Sequence, residues 1–82
     1  MKNNVQEVTE YQEFTVGDKA EIVSTSFDDD QRTFYKSVGD IIAIRVSKIG
    51  QIETADLRLR FGDGYETWIP AEDCAATWGV GA

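Results

Sequence analysis

Histidine is absent from this 82-residue chain, cysteine, proline and methionine occur once each, and 8 basic residues face 15 acidic ones. Each shortage excludes something. Without histidine there is no side chain that ordinarily titrates near neutrality, no Ser/His or Cys/His nucleophile pair and no histidine-bearing metal site. Cys74 stands alone, which rules out an internal disulfide and a multi-cysteine zinc site. These absences predict a protein that is not an enzyme and carries no cofactor. No apolar run approaches the ~20 residues of a spanning helix, and the opening residues, Met1 to Glu7, lack the apolar core of a secretory leader. The expectation is a cytoplasmic protein with no membrane partner.

What is present is acidic. The formal net charge is −7, whereas nucleic-acid binders owe affinity to basic faces that neutralise phosphate. The balance points to a larger protein as partner, one with a basic surface, and to imitation of nucleic-acid charge as a way to occupy it. The plainer alternative is that the charge keeps a small protein soluble. At 41% hydrophobic and 28% charged, the chain has the composition of one folded domain, of a length at which one core is marginally sufficient.

The strands announce themselves in the second half. Ala55, Leu57, Leu59 and Phe61 alternate with Asp56, Arg58 and Arg60, the period-two pattern of a strand with one buried and one wet face. Gly62-Asp63-Gly64 supplies a tight reversal, and Tyr65 to Ile69 alternates again before Pro70 ends the ladder. Upstream, Lys19 to Ser24 reads as a first strand. Ile41 to Val46 is β-branched and apolar, with Ile42, Ile44 and Val46 expected on one face and Ile41, Ala43 and Arg45 on the other. Thr25 to Lys36 has no apolar period and reads as a long loop, of a length that usually carries function. Ala71 to Cys74 suits a 3₁₀ turn and Ala75 to Trp78 a last short strand. Residues 1–13 show no sustained period and read as a flexible acidic tail. The expectation is all-β: a small five-stranded barrel over residues 14–82.

The order of strand, long loop, strand, hairpin, proline-terminated strand, 3₁₀ turn and short strand resembles the SH3-like barrel. Trp68-Ile69-Pro70-Ala71-Glu72-Asp73 is similar to the isoleucine-proline segment that ends the fourth strand of signalling SH3 domains. Their acidic-aromatic signature is missing, however, and Asp73 stands where a second groove aromatic would be. Val38-Gly39-Asp40-Ile41-Ile42-Ala43-Ile44 resembles the KOW-type segment of ribosomal and transcription-factor barrels. Val16-Gly17-Asp18, Leu59-Arg60-Phe61 and Ala71-Glu72-Asp73 are similar to parts of the photosystem I and ferredoxin-thioredoxin reductase accessory barrels. The resemblance implies a small binding barrel, either an accessory subunit or, through the KOW-type likeness, a ribonucleoprotein component.

Two sets of residues follow as candidate sites. Trp68 should point outward if Ile69 points inward, and a large aromatic on a rigid strand suits an interface anchor. With Tyr65, Phe34 and Tyr35 it could line a groove, and Asp28, Asp29 and Asp30 would give the long loop an acidic tip. Those three aspartates have the wrong spacing for an EF-hand, since Gly39 would fall at the last ligand position; no metal site is expected. Arg45, Arg58 and Arg60 form the alternative site, a small patch for nucleic acid, unless Asp56 and Glu66 pair with them across strands. A carboxylate enzyme would need two facing acids in one cleft, drawn from Glu53, Glu66, Glu72 and Asp73. The leading expectation is a non-catalytic protein-binding module such as an acidic accessory subunit or a phage-type inhibitor.

Overall fold

A computed structural model describes residues 4–24 and 37–77. Among them the regular structure is strand, apart from one 3₁₀ turn: β1 (Asn4–Val8), β2 (Glu10–Tyr11), β3 (Phe14–Thr15), β4 (Lys19–Ile22), β5 (Val38–Ile49), β6 (Ile52–Arg60), β7 (Glu66–Pro70), the 3₁₀ turn Ala71–Asp73 and β8 (Cys74–Ala76). No helix among the described residues is long and apolar enough to cross a membrane.

The all-β expectation holds, but not as a five-stranded barrel. The main sheet has six strands in the order β7-β6-β5-β4-β8, with β1 added beside β5, and β2 and β3 pair separately. Its ends, β7 and β8, do not pair, so the sheet is open. It is nevertheless strongly curved. Only Ala71–Asp73 separates β7 from β8 in the chain, and three residues span about 10 Å at most. The two ends of the strand order must therefore lie within reach of a single turn.

The sixth strand comes from the stretch expected to be a tail. Asn4 to Val8 pairs antiparallel with Lys48 to Ile44, and the small hairpin of β2 and β3 follows. β4 pairs with Asp40 to Val38 and β1 with Lys48 to Ile44, while β6 runs along β5 from Asp40 to Ile49. One long strand thus has two different neighbours in succession.

A bulge makes this possible. The β5–β6 register shifts between Ile41 and Ala43, leaving Ile42 as an extra residue. Ile41 (1% exposed) and Ile44 (0%) both reach the core, whereas Ile42 is half-buried. The expected face of Ile42, Ile44 and Val46 is corrected accordingly, because the bulge resets the alternation. Gly39 meets the same crowding: a Cβ there would lie 3.1 Å from Leu59 Cβ and 3.2 Å from the Arg60 carbonyl oxygen. β6 and β7 are joined as their sequence predicts. Phe61 N–H donates to the Tyr65 carbonyl at 2.9 Å, and Gly64 takes the positive φ of 88° that closes a three-residue loop.

Phe14, Ile22, Ile41, Ile44, Leu57 and Leu59 are the largest fully buried side chains. Ala20, Ala55, Phe61, Ile69, Ala71 and Cys74 complete the core. Every β6 residue of this set has odd parity, which leaves the even-numbered residues of β6 and β7 on the outer face.

Candidate functional site

That outer face holds the side chains singled out by the sequence. On β7, Glu66 lies opposite Arg60, Trp68 opposite Arg58 and Pro70 opposite Asp56; on β5, Ala43 lies opposite Arg58 and Arg45 opposite Asp56. Directly opposed residues share a face, so Arg45, Asp56, Arg58, Arg60, Glu66 and Trp68 form one surface across three strands.

Trp68 is half-buried and lies outside the core cluster. The Arg45 guanidinium carbon sits 4.2 Å from its ring centroid and that of Arg58 5.6 Å. Arg45 belongs to β5 and Trp68 to β7, so the two side chains meet over β6. Such contacts contribute about 0.5–1 kcal/mol each at exposed sites; their larger effect is to fix the indole in place. The carboxylates fix the guanidiniums in turn. Arg60 Nε donates to Glu66 Oε2 at 2.9 Å, Arg58 Nε to Glu66 Oε1 at 3.4 Å and Arg45 Nη2 to Asp56 Oδ2 at 3.3 Å. The Arg60 hydrogen bond holds the Glu66 carboxyl below its ordinary value, and the charges of Arg60 and Arg58 act in the same direction.

Tyr65 does not join this surface. Its parity is that of Ile69, and it packs against the core from the other side of the sheet. Trp68 and Tyr65 therefore do not line a common groove. Phe34, Tyr35, Asp28, Asp29 and Asp30 lie outside the described residues. Arg45, Arg58 and Arg60 do come together, each with the carboxylate partner that cross-strand pairing predicts.

Sequence reasoning missed two features. One is that Arg45 and Arg58 are the neighbours of Trp68, which depends on the register of three strands. The other is an apolar end to the same face: Val5 (57% exposed), Ile49 (46%) and Ile52 (68%). Ile49 pairs with Ile52, and Val5 lies opposite Ser47 on β1. A strand at Val5 was the missing signal.

On the inner side, beyond the edge of the core, lies a cleft of about 130 Å³ lined by Tyr11, Gln12, Glu53, Ala55, Ala71 and Glu72. It brings together two carboxylates, Glu53 and Glu72. The Tyr11 phenol is raised above its ordinary value by burial first and then by the nearby Glu53 carboxylate. Lys48 Nζ approaches Glu53 Oε1 at 3.9 Å. Both glutamates are exposed. Among the described residues no three His, Cys, Asp or Glu side chains are grouped to hold a metal ion. Cys74 is a core residue whose thiol burial pushes up to about 12, with a further contribution from the Asp73 charge; so little thiolate exists at neutral pH that it is no nucleophile.

No family model matches the chain, nor does any curated protein or solved structure.

Proposed function

We propose that the chain is a non-catalytic protein-binding module on an SH3-like framework, and that it binds through the outer face of β5, β6 and β7 around Trp68. The observation that carries this reading is the setting of Trp68, an indole held outside the core on a rigid strand by two guanidiniums. Tryptophan and arginine are the side chains over-represented at energetic centres of interfaces. Pre-organisation reduces the entropy lost on association. The apolar end at Val5, Ile49 and Ile52 extends the same face. The strand order β7-β6-β5-β4-β8, with a 3₁₀ turn before the last strand, supports the SH3-like framework.

The partner is a larger protein, one whose basic surface answers the net charge of −7 of the chain as a whole; the Trp68 face itself sets three arginines against Asp56 and Glu66. An accessory subunit and a phage-type inhibitor are both of this kind. The nucleic-acid alternative has less behind it. Arg45, Arg58 and Arg60 share the face with Asp56 and Glu66, which already pair with them, and an arginine held by a carboxylate releases fewer counterions on meeting phosphate. Catalysis by Glu53 and Glu72 also lacks support, because exposed carboxyls are not in the dry setting that tunes a general acid.

The test is a pull-down with the wild-type domain and Trp68→Ala, each with and without nuclease, beside a denaturation curve for both. A partner that survives nuclease and is lost by a still cooperatively folded Trp68→Ala supports the reading. Partners that vanish with nuclease, or that Trp68→Ala retains, overturn it.

A further inference from the structure

The outer face of the sheet is electrically balanced on a chain that is not. On β1, Glu7 lies opposite Arg45, so the face of β1, β5, β6 and β7 sets Arg45, Arg58 and Arg60 against Glu7, Asp56 and Glu66. Asp40, opposite Arg60, is paired in turn with Lys19 of β4 at 2.5 Å. These charges cancel, and the net −7 lies on the remainder of the molecule. Two copies of the chain thus meet with least repulsion through this face.

The register makes the face complementary to itself. Across β5 and β6, Asp40 pairs with Arg60, Arg45 with Asp56, Ser47 with Thr54 and Ile49 with Ile52. Lys48 and Glu53, between the last two pairs, have the opposite parity and leave that end of the face uncharged. A two-fold axis along the β5–β6 midline, lying between two facing sheets, sets β5 of one copy over β6 of the other. Each residue then meets its own cross-strand partner from the second copy, arginine over aspartate and isoleucine over isoleucine. Facing sheets cross at up to ~30°, so the match is closest where the midlines cross, and the apolar end fixes that point near Ile49 and Ile52. The four strands stand ~19 Å across and the nine residues of β6 run ~30 Å. That outline, roughly 600 Å², approaches the ~800 Å² per partner of a standard interface before the relief of the side chains is counted.

We infer that the outer faces of two copies pack together in a two-fold symmetric dimer, β5 over β6, with Ile49 over Ile52 where the midlines cross. The arginines enter this contact already paired with Asp56 and Glu66, so no bare charge is buried. β7, with Trp68, lies over β1 of the second copy at the flank of the contact. The second copy and a partner captured through Trp68 therefore share one face and exclude each other. The dimer stands by itself; its competition with a partner rests on the binding-module reading.

Sedimentation velocity on the full chain tests this. Between ~10 μM and ~1 mM, where small interfaces associate, the wild-type protein should pass from monomer to dimer; a monomer throughout overturns the inference. Ile52→Lys and Ile49→Glu, both at exposed positions, should keep their fold by circular dichroism. Each should dimerise at least ~10-fold more weakly, since the axis repeats the substitution. Mixed in equal amounts, the two variants should regain the dimer. The introduced lysine then faces the introduced glutamate, while Ile49 of the first variant faces Ile52 of the second. A dimer indifferent to both substitutions, or no recovery on mixing, overturns the two-fold arrangement. Partner capture that Trp68→Ala abolishes, in a protein that never dimerises, leaves the binding-module reading standing. A dimer that captures no partner does the reverse, so the two failures are distinguishable.

Discussion

Truncating Ile44 and Ile42 separately tests the bulge in β5, because the two residues exchange importance depending on whether it exists. Under strict alternation both point to the same face and cost the same to shorten. With Ile42 as the extra residue, Ile44 is fully buried and Ile42 half-buried. Ile44→Ala should then cost about 2–5 kcal/mol, the transfer loss plus the cavity left behind. A domain of this size has roughly 4–12 kcal/mol of stability in total, so the alanine variant approaches the limit of folding. Ile44→Val is the safer measurement. Loss of one fully buried methylene group costs about 1 kcal/mol, equivalent to a melting point lower by about 4–8 °C. Ile42→Val removes the same group from a position already half in water and should cost about half as much. Urea denaturation followed by circular dichroism gives both values, provided that the slope with denaturant is unchanged. Equal losses at the two positions, or a larger loss at Ile42, would refute the bulge and the core assignment built on it.

Gly39→Ala should destabilise by about 1–3 kcal/mol through overpacking, since its Cβ would press on Leu59 and the Arg60 carbonyl; Gly62→Ala, with nothing within 4 Å, serves as a control near neutral. The Cys74 thiol, raised to about 12, should resist an aromatic disulfide reagent in the folded domain and react once urea unfolds it, whereas rapid labelling without denaturant would place it at the surface. Arg60→Gln should let the Glu66 carboxyl rise toward its ordinary value of 4.5, read by carboxyl NMR. Because Glu66 is lowered in the folded state, its contribution is present above that ordinary value and fades as pH falls through the lower, folded one. The stability difference between wild type and Arg60→Gln should accordingly narrow in acid.

The parts of the fold that the sequence displays are those with one wet and one dry face joined by a local turn. Ala55 to Pro70 is such a stretch, and its alternation, its Gly-Asp-Gly reversal and its terminating proline all appear in the structure. Ile41 to Ile44 is apolar at every position, so nothing in the composition tells which residue is the extra one; the phase comes only from pairing with β6. Asn4 to Val8 is polar because β1 lies along an already packed sheet and buries little of itself, which leaves no pattern to read. The candidate site divides in the same way. The outward direction of Trp68 follows from Ile69 pointing inward, a local relation. Its two arginine neighbours follow from the register of three strands, and Tyr65 departs from the groove because it precedes the strand on the inward parity.

The two neighbours that share one edge of β5 have a consequence for how the chain reaches its fold. β5, β6 and β7 are consecutive hairpins, and their contacts close over short stretches of chain. The β4–β8 pairing joins Ala20 to Ala76, more than half the chain apart, and the β1–β5 pairing joins Gln6 to Val46. Closing such loops costs entropy that the hairpins avoid, which makes non-local pairing the slow part of β folding. The central meander should assemble first, with the two terminal strands docking afterwards onto opposite halves of the sheet. Until β1 arrives, the second half of β5, with Ile44, Val46 and Ile49 set among polar residues, is a bare edge able to pair with another chain. Residues 4–8 thus act as a late-arriving guard against misassembly, and a deletion that removed them would be felt first as aggregation during refolding.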